Sequence, residues 1–393
     1  MTFVSFSSRR FLVLGAAFLI TGYVLSAHTA LAADTGTTET VSELQKKYTA
    51  AANGGTPVKI LIVPGHEPDF GGTEYQGLLE RDINVAIANQ LAAQLRKDPH
   101  LSVVVARDTL NWNTDLSSYF ANAWDSIQSF VTTHKQQSPI DSLTPTFQAA
   151  HSSAPTDVAL RLYGITKWAN ENGVDIAIHI HLNDAGDHID GQVGNQAGFA
   201  VYTPSPVYGN SRTSRVFGSS IANELNHYNA TSSLAIENLG VVEDQELIAL
   251  GAYNTASYAS VLVEYAYIYE NKITNPTILP IVEKEFANST YRGVEQFFGS
   301  RVPYFDTLQL PHVFRSSPQK GSTSAETYAL QVALHRIHLY PAAGEYYYDC
   351  PVDGYMGSCT VNAIKAFQRS KGLSQTGTLG PQTRRALNAI WGR

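Results

Sequence analysis

Five short apolar segments that alternate with helical periodicity constrain the fold of this chain more than any other feature. The first, residues 58–63 (VKILIV), is an apolar run that ends at Pro-Gly, as expected of a strand buried on both faces. Further strands are predicted at 102–108, 175–184, 198–204 and 259–268. Helical stretches lie between them, with apolar residues at 83, 87, 91 and 95 and around 159–172 and 211–227. This alternation predicts an α/β domain with a mainly parallel sheet flanked by helices.

The first 33 residues differ in composition from the rest. Arg9 and Arg10 precede an uncharged apolar run over residues 11–26, and an Ala30-x-Ala32 site follows. This order is typical of a secretory signal, which we place at residues 1–32. The arginine pair lacks the usual twin-arginine spacing, and the run is short for a membrane span of about 20 residues, so those two alternatives are weaker. In each case the chain is exported, to the periplasm or to the cell wall and extracellular space.

Three further segments interrupt the folded pattern. Residues 33–57 are small, polar and rich in Gly and Thr, which predicts a linker with one helical turn near residues 41–48. Residues 113–155 separate two elements that need no long connection, so we interpret them as an insertion that is partly helical. A segment rich in Pro, Ser and Gln predicts a second linker at 301–322. The folded domains are then 58–300 and 323–393.

Two histidines and a glutamate are predicted to meet at one edge of the sheet. His66 follows the first strand directly after its Pro-Gly turn, His181 ends the strand at 175–184, and Glu80 lies in the first turn of the next helix. Ligands of open α/β sheets gather at the carboxyl ends of the strands. Two imidazoles and one carboxylate are a common catalytic zinc set with a fourth position left for water. Each residue alone is more often structural, so the prediction depends on their convergence.

Glu264 is the predicted catalytic residue. It stands in the middle of an otherwise apolar strand, where an acid is costly unless it has a partner. We expect it beside the metal, where it takes a proton from activated water and passes it to the leaving nitrogen. An ion pair with an arginine is the structural alternative. His179 faces the same side of its strand as His181, as a core histidine or as a second imidazole near the metal.

Together these motifs resemble the catalytic domain of the zinc-dependent N-acetylmuramoyl-L-alanine amidases of the amidase-3 type. The resemblance covers residues 58–300 and is carried by ILIVPGH, GLLERD, IHIHLND and VLVEYAY. It implies that His66, Glu80 and His181 bind Zn²⁺, that Glu264 is catalytic, and that the substrate is the amide between N-acetylmuramoyl and L-alanine of peptidoglycan. His179 stands where the family has a serine. Glu-Pro-Asp follows His66 where the family has a glycine-rich loop. The insertion is a lid, an autoinhibitory helix, a substrate clamp or a surface elaboration.

The C-terminal segment is expected to form a small all-α domain. Three amphipathic stretches are joined by Gly/Pro turns, and nothing in them has catalytic spacing. Residues 326–389 resemble the three-helix peptidoglycan-binding domain of cell-wall hydrolases. Cys350 and Cys359 are predicted to form a disulfide, since the chain is exported, with a zinc site as the weaker alternative. That bridge would pin an unusual extension, PAAGEYYYDCP. The other interpretation is that this unit only packs against the catalytic domain.

The net charge of −7 argues against nucleic acid as a partner, because that binding depends on Lys and Arg. Peptidoglycan is the expected partner, and the sequence leaves open a protein activator and the oligomeric state. The expected function is therefore that of a cell-wall hydrolase. Two alternatives remain: a zinc peptidase that acts on the stem peptide or on a protein, and an inactive wall-binding regulator.

Overall fold

The computed structural model describes residues 38–138, 154–185, 191–300 and 307–392. The predicted signal and residues 139–153 of the insertion lie outside these ranges. The strands are β1 (Val58–Pro64), β2 (Glu74–Tyr75), β3 (Leu78–Leu79), β4 (Leu101–Val105), β5 (Ile176–Asn183), β6 (Ala200–Pro204), β7 (Val241–Asp244) and β8 (Ala259–Tyr267). The helices are α1 (Val41–Ala51), α2 (Glu80–Leu95), α3 (Thr114–Asn122), α4 (Trp124–Gln137), α5 (Thr156–Glu171), α6 (Ser211–Leu225), α7 (Asn271–Thr274), α8 (Leu279–Phe297), α9 (Ala325–Arg336), α10 (Ser358–Ser370) and α11 (Pro381–Trp391).

A six-stranded sheet in the order β4-β1-β5-β8-β6-β7 is the centre of the molecule. β4, β1, β5 and β8 are mutually parallel, whereas β6 pairs antiparallel with β8 and parallel with β7. The predicted mainly parallel sheet flanked by helices is confirmed. β7 was not predicted, because its four residues end in two acids and half of them are only partly buried at the sheet edge.

Successive residues of the central strands face different helix layers. On one face, Ile178 and Val261 pack with residues of α2, α6 and α8. On the other face, Leu61 and Ala177 pack with residues of α3 and α5. On this second face of β5, Ala177 is followed by His179 and His181 near the carboxyl end of the strand. The apolar packing therefore gives way to imidazoles at the edge where sequence reasoning placed the site.

Helix α1 lies in the segment that we interpreted as a linker. It runs for 11 residues rather than one turn and begins with a capping box between Thr40 and Glu43. Leu44 is fully buried, and the ring of Tyr48 stacks on Phe298 with 4.4 Å between centroids. Lys47 Nζ lies 2.6 Å from Asp175 Oδ1. These side chains share one helical face, whereas the small polar residues around them suggested a spacer.

The C-terminal domain consists of α9, α10 and α11, as predicted, and the Cys350–Cys359 disulfide is present. The described part of the second predicted linker, residues 307–322, has no helix or strand of its own but is packed. Phe314 is 2% exposed, and its backbone N–H and C=O both bond to the Asn388 side chain at 2.8 and 3.0 Å. No helix among the described residues combines the length and apolar character needed to cross a membrane.

Candidate metal centre and active site

The turn after β1 is held in place by a buried arginine. His66 has a positive φ of 70°, which turns the backbone away from the strand direction, and its side chain lines the same cavity as His179 and His181. Arg107, 2% exposed, donates from Nε to Pro64 O at 3.1 Å and from Nη2 to both Gly65 O and Arg81 O. Burial lowers the pKa of Arg107 to about 10, so the guanidinium stays charged at neutral pH. Three carbonyls from two segments are thereby fixed around His66.

Glu80 meets both predicted histidine ligands at the start of α2. Its Oε2 lies 2.9 Å from His66 Nε2, and its Oε1 lies 3.2 Å from His181 Nδ1. The side chain is 3% exposed, and burial by itself would raise its pKa. The charges and hydrogen bonds of the two histidines outweigh burial and hold the pKa of Glu80 well below its ordinary value. Glu80 is therefore a carboxylate.

Further donors fix the orientation of this carboxylate. The backbone N–H of Thr73 donates to Oε2 at 2.9 Å, and the N–H of Leu182 donates to Oε1 at 3.1 Å. The Asn84 side chain, one turn along α2, also donates to Oε1 at 3.2 Å. Groups that orient a ligand in this way strengthen metal binding.

His66, Glu80 and His181 form a set that fits a metal ion. Each offers one ligand atom, and these atoms lie within 4.8 Å of one another. Zinc bonds of about 2.0–2.1 Å in a tetrahedral site place ligand atoms roughly 3.3 Å apart, which is close to the observed separations. The buried Nε2 of His66 contacts Glu80 Oε2 at 2.9 Å and has no other polar partner among the described residues. The structure thus brings together the three side chains that were predicted to bind zinc, and their donor set suits that ion.

Glu264 lies on β8 directly beside His181 on β5, so both side chains project from the same face of the sheet. Its Oε2 is buried without a hydrogen-bond partner, and among the described residues it forms no ion pair with an arginine or lysine. Burial, together with the carboxylates of Glu80 and Glu237, raises the pKa of Glu264 well above its ordinary value. The alternative of a structural ion pair is not observed.

Glu237 is a neighbour of Glu264 that sequence reasoning missed. It is 1% exposed and accepts hydrogen bonds from Asn183 Nδ2 at 3.0 Å, from Tyr267 Oη at 3.0 Å and from Tyr202 Oη. Tyr202 stands on β6, so this group borders Glu264 on the side away from His181. Nothing in the surrounding sequence, SSLAIENLG, distinguishes this acid from a surface loop residue.

His179 lies beside the candidate metal centre. It is 3% exposed, and its buried Nε2 has no hydrogen-bond partner in the part of the chain that the structure describes. Burial, assisted by the charge of His181, lowers the pKa of His179 to about 3. The ring is therefore a neutral imidazole at physiological pH, with one nitrogen to donate and one to accept.

A cavity of about 470 Å³ opens onto the three histidine side chains of the site. That volume is within the usual range for ligand sites. His66, His179 and His181 line one part, and the remaining wall is mainly apolar, with Phe70, Trp112, Val158, Leu162, Leu247 and Ile248. Val158 and Leu162 belong to α5, which follows the insertion.

Glu67, the residue after His66, stabilises the wall of this cavity. The carboxylate of Glu67 accepts from Arg161 Nε at 2.9 Å and from Trp112 Nε1 at 3.2 Å. Arg161 stands on α5, so the departure from a glycine-rich loop links the His66 turn to the helix after the insertion. The described part of the insertion forms α3 and α4, in agreement with its predicted partly helical character.

The model of the N-acetylmuramoyl-L-alanine amidase family matches residues 60–296, which is more than half of the chain. The chain belongs to this family. A second family model, that of peptidoglycan-binding domains, matches residues 323–387. The amidase is thus a cell-wall hydrolase with a peptidoglycan-binding domain on the same chain, and it acts outside the cytoplasm.

Three solved structures of amidases are among those similar to this chain. The N-acetylmuramyl-L-alanine amidase Ami1 from Mycobacterium smegmatis is 16% identical over 63% of this chain and 99% of its own, with a TM-score of 0.42. The CwlD amidase from Clostridioides difficile, solved in complex with the GerS lipoprotein, is 15% identical over 62% and 100%, with a TM-score of 0.42. AmiC2 of Nostoc punctiforme is 17% identical over 62% and 99%, with a TM-score of 0.38. No curated protein matches the amidase in sequence.

Proposed function

We propose that the amidase hydrolyses the bond between N-acetylmuramoyl and L-alanine with Zn²⁺ held by His66, Glu80 and His181. The observation that carries this proposal is the convergence of these three side chains beside Glu264, whose buried Oε2 has no hydrogen-bond partner among the described residues. A zinc ion in such a set supplies Lewis-acid activation of water and of the scissile carbonyl.

Glu264 moves the proton in this proposal. It takes a proton from the attacking water and delivers it to the nitrogen of L-alanine, so that water and amide become a carboxylic acid and an amine. The environment that raises its pKa allows Glu264 to retain the proton between the two steps. Because Glu80 is held as a carboxylate by its donors, it remains a ligand while Glu264 changes its protonation state.

The remaining features support a wall-directed enzyme. The mainly apolar cavity wall excludes water around the reacting amide. The C-terminal domain raises the local concentration of the polymer near the active site. Because peptidoglycan lies in the periplasm or cell wall, residues 1–32 are proposed to be the export signal.

We also propose catalytic and binding domains at 58–300 and 323–393, with the insertion at 113–155. The two family ranges support this division. Helix α1 is then an N-terminal addition to the catalytic domain, because it packs on that domain's core.

Digestion of purified peptidoglycan tests this function. We expect free stem peptides that begin with L-alanine, detected by mass spectrometry, and about one zinc per chain. Products cut within the stem peptide, with the muramoyl bond intact, would instead establish the peptidase alternative. No turnover by the zinc-loaded protein would favour the inactive regulator.

The variant Glu264→Gln tests the proton-transfer role. We expect a loss of turnover of about 10²- to 10⁴-fold with zinc content unchanged, because general acid–base catalysis contributes that much. Glu243→Gln is the matched control, since Glu243 lies on edge strand β7 and pairs with Arg215. Wild-type turnover in Glu264→Gln would remove its role.

A further inference from the structure

A crevice lies between the catalytic domain and the C-terminal domain. Its volume is about 120 Å³, well above the roughly 10–15 Å³ that one water molecule requires. Gly198, Glu270, Asn271 and Lys272 line it from the catalytic domain, and Tyr347, Tyr348 and Asp353 from the C-terminal domain. Domain interfaces are common positions for binding sites.

This crevice lies at the same edge of the sheet as the candidate metal centre. Glu270, Asn271 and Lys272 follow the carboxyl end of β8, the strand that carries Glu264. Gly198 precedes β6, and because β6 runs antiparallel to β8 its beginning lies at that same edge. A polymer that enters the metal centre can therefore continue along this edge toward the crevice.

The two domains hold the crevice together by direct contacts. Asn271 Nδ2 donates to Asp353 Oδ2 at 3.3 Å, and the hydroxyls of Tyr348 and Thr231 lie 3.4 Å apart. A Cβ on Gly354 would lie 2.7 Å from Ile278 Cδ1, which shows how closely the C-terminal domain approaches α8. The crevice is therefore bordered by direct contacts between two packed domains. It is not a gap between domains that are joined only by a linker.

The chemistry of the lining suits a sugar. Tyr348 is 49% exposed and offers an aromatic surface, while Asp353 and Asn271 provide polar groups at the rim. Lys272 is 4% exposed, and its ammonium contacts Asn229 Oδ1 at 2.9 Å and Glu270 Oε2 at 3.4 Å. The ammonium also lies 5.3 Å from the centroid of the Phe286 ring, so Lys272 brings a positive charge to the wall of the crevice rather than a free N–H donor. A 2-acetamido sugar presents an apolar ring face, hydroxyls and a carbonyl acceptor.

We propose that this crevice binds one 2-acetamido sugar of the glycan strand whose stem peptide occupies the metal centre. The inference rests on the proposed function, because that function brings a glycan strand to this edge of the sheet. Tyr348 stacks on the sugar ring, the positive charge of Lys272 attracts the acetamido carbonyl oxygen, and Asp353 accepts from a hydroxyl. The crevice thereby sets the register of the strand relative to Glu264.

Calorimetric titration of the full chain with a β-1,4-linked N-acetylglucosamine tetramer tests this site. We expect saturable binding that Tyr348→Ala weakens by about fivefold, since an aromatic contact is worth about 0.5–1.5 kcal/mol. Tyr346→Ala is the matched control, because Tyr346 is 72% exposed, lies two residues from Tyr348 and does not line the crevice. The affinity of this variant for the tetramer should stay within twofold of that of the wild type. A second variant, Lys272→Met, should weaken binding in the same direction.

The proposal fails if the wild type shows no saturable binding, if Tyr348→Ala binds as tightly as the wild type, or if Tyr346→Ala loses as much affinity. It also fails if Tyr348→Ala weakens binding of the free stem peptide and not of the sugar. Hydrolysis of a disaccharide with one stem peptide by the wild type reports separately on the metal centre. If the wild type does not hydrolyse that compound, the proposed amidase chemistry fails, while the titration still decides the crevice.

Discussion

At the scale of single residues, Glu264 shows how catalytic function opposes stability. A buried carboxyl group with no hydrogen-bond partner at Oε2 and two carboxylates nearby favours its neutral form. The unfolded chain releases the proton near the ordinary pKa of 4.5, whereas the folded chain retains it to higher pH. Stability that depends on this group is therefore greatest in acid and falls as the pH rises through the interval between the two values.

This linkage predicts the stability of Glu264→Gln in metal-free protein. At pH 7.5 the amide removes the cost of the charge, so we expect the melting temperature to rise by about 2 °C or more above that of the wild type. Below pH 4.5 both side chains are neutral, and the difference should disappear. Thermal denaturation with a chelator at pH 4 and pH 7.5 measures both values. An equal difference at the two pH values would show that the carboxyl group is not the cause.

Sequence reasoning located the four proposed functional residues because each breaks a pattern. His66 and His181 stand at strand ends, Glu80 begins a helix, and Glu264 interrupts an apolar strand. Glu237 and the Glu67–Arg161 pair were not predicted. Their partners are brought to them by loops and by α5, and no local pattern encodes contacts across about 50 to 90 residues.

At the scale of elements, Gly72 and Gly77 lie between β1 and α2 in the same backbone conformation but with different surroundings. Gly72 has φ +83°, and a Cβ there would lie 2.9 Å from His66 Cδ2 and 3.2 Å from Glu80 Oε2. Gly77 has φ +82° with nothing within 4 Å. Alanine variants at these two positions therefore compare backbone strain that is accompanied by a contact with the proposed metal ligands and backbone strain without such a contact.

We expect Gly72→Ala to weaken zinc binding by at least about tenfold, as displacement of ligand-supporting groups commonly does. Gly77→Ala should retain wild-type zinc affinity. Both variants place a Cβ in a left-handed conformation, which costs roughly 1–2 kcal/mol, so both should lose stability, and Gly72→Ala should lose more because of its contact with His66. Zinc competition with a chromophoric chelator, together with chemical denaturation, separates the two effects. Equal zinc affinity in the two variants would show that the Gly72 contact with His66 has no role.

Helix α1 supports the sheet although the sequence suggested a spacer. Leu44→Ala removes a fully buried side chain, so we expect the free energy of unfolding to fall by about 2–5 kcal/mol. Lys46→Ala, an exposed position in the same helix, should change it by less than about 0.5 kcal/mol. Urea denaturation followed by circular dichroism compares them. A small effect of Leu44→Ala would mean that α1 does not belong to the cooperative core.

The direction of β6 is a second property of an element that the sequence did not reveal. Its residues, AVYTP, are all buried, and an apolar run does not state whether the strand runs with or against its neighbour. The pairing of β6 with β8 decides this, because it places the beginning of β6 at the edge that carries Glu264. Strand existence is thus local information, whereas strand direction depends on tertiary pairing.

At the scale of the whole molecule, the two domains form one body. The described residues belong to a single compact unit, and one apolar cluster runs from the sheet through Ile278 and Phe286 to Phe367 of the C-terminal domain. Glu285 of α8 accepts hydrogen bonds from the Thr307 hydroxyl at 3.0 Å and from Leu308 N–H at 2.9 Å. The sequence predicted a linker here because Pro, Ser and Gln are common in it, but composition does not show which of those residues pack.

A shared core predicts that damage to the C-terminal domain also destabilises the active site. Phe367→Ala removes a fully buried ring of α10, which costs about 3–5 kcal/mol. We expect calorimetry to show a single transition, shifted down by about 5 °C or more, and hydrolysis of a short soluble muropeptide to be lost at that same lower temperature. Ile390→Ala, at a 36% exposed position of α11, is the control and should leave both temperatures close to wild type. If Phe367→Ala instead gave two transitions, with activity lost at the wild-type temperature, the domains would unfold independently and the crevice between them would not be a fixed site.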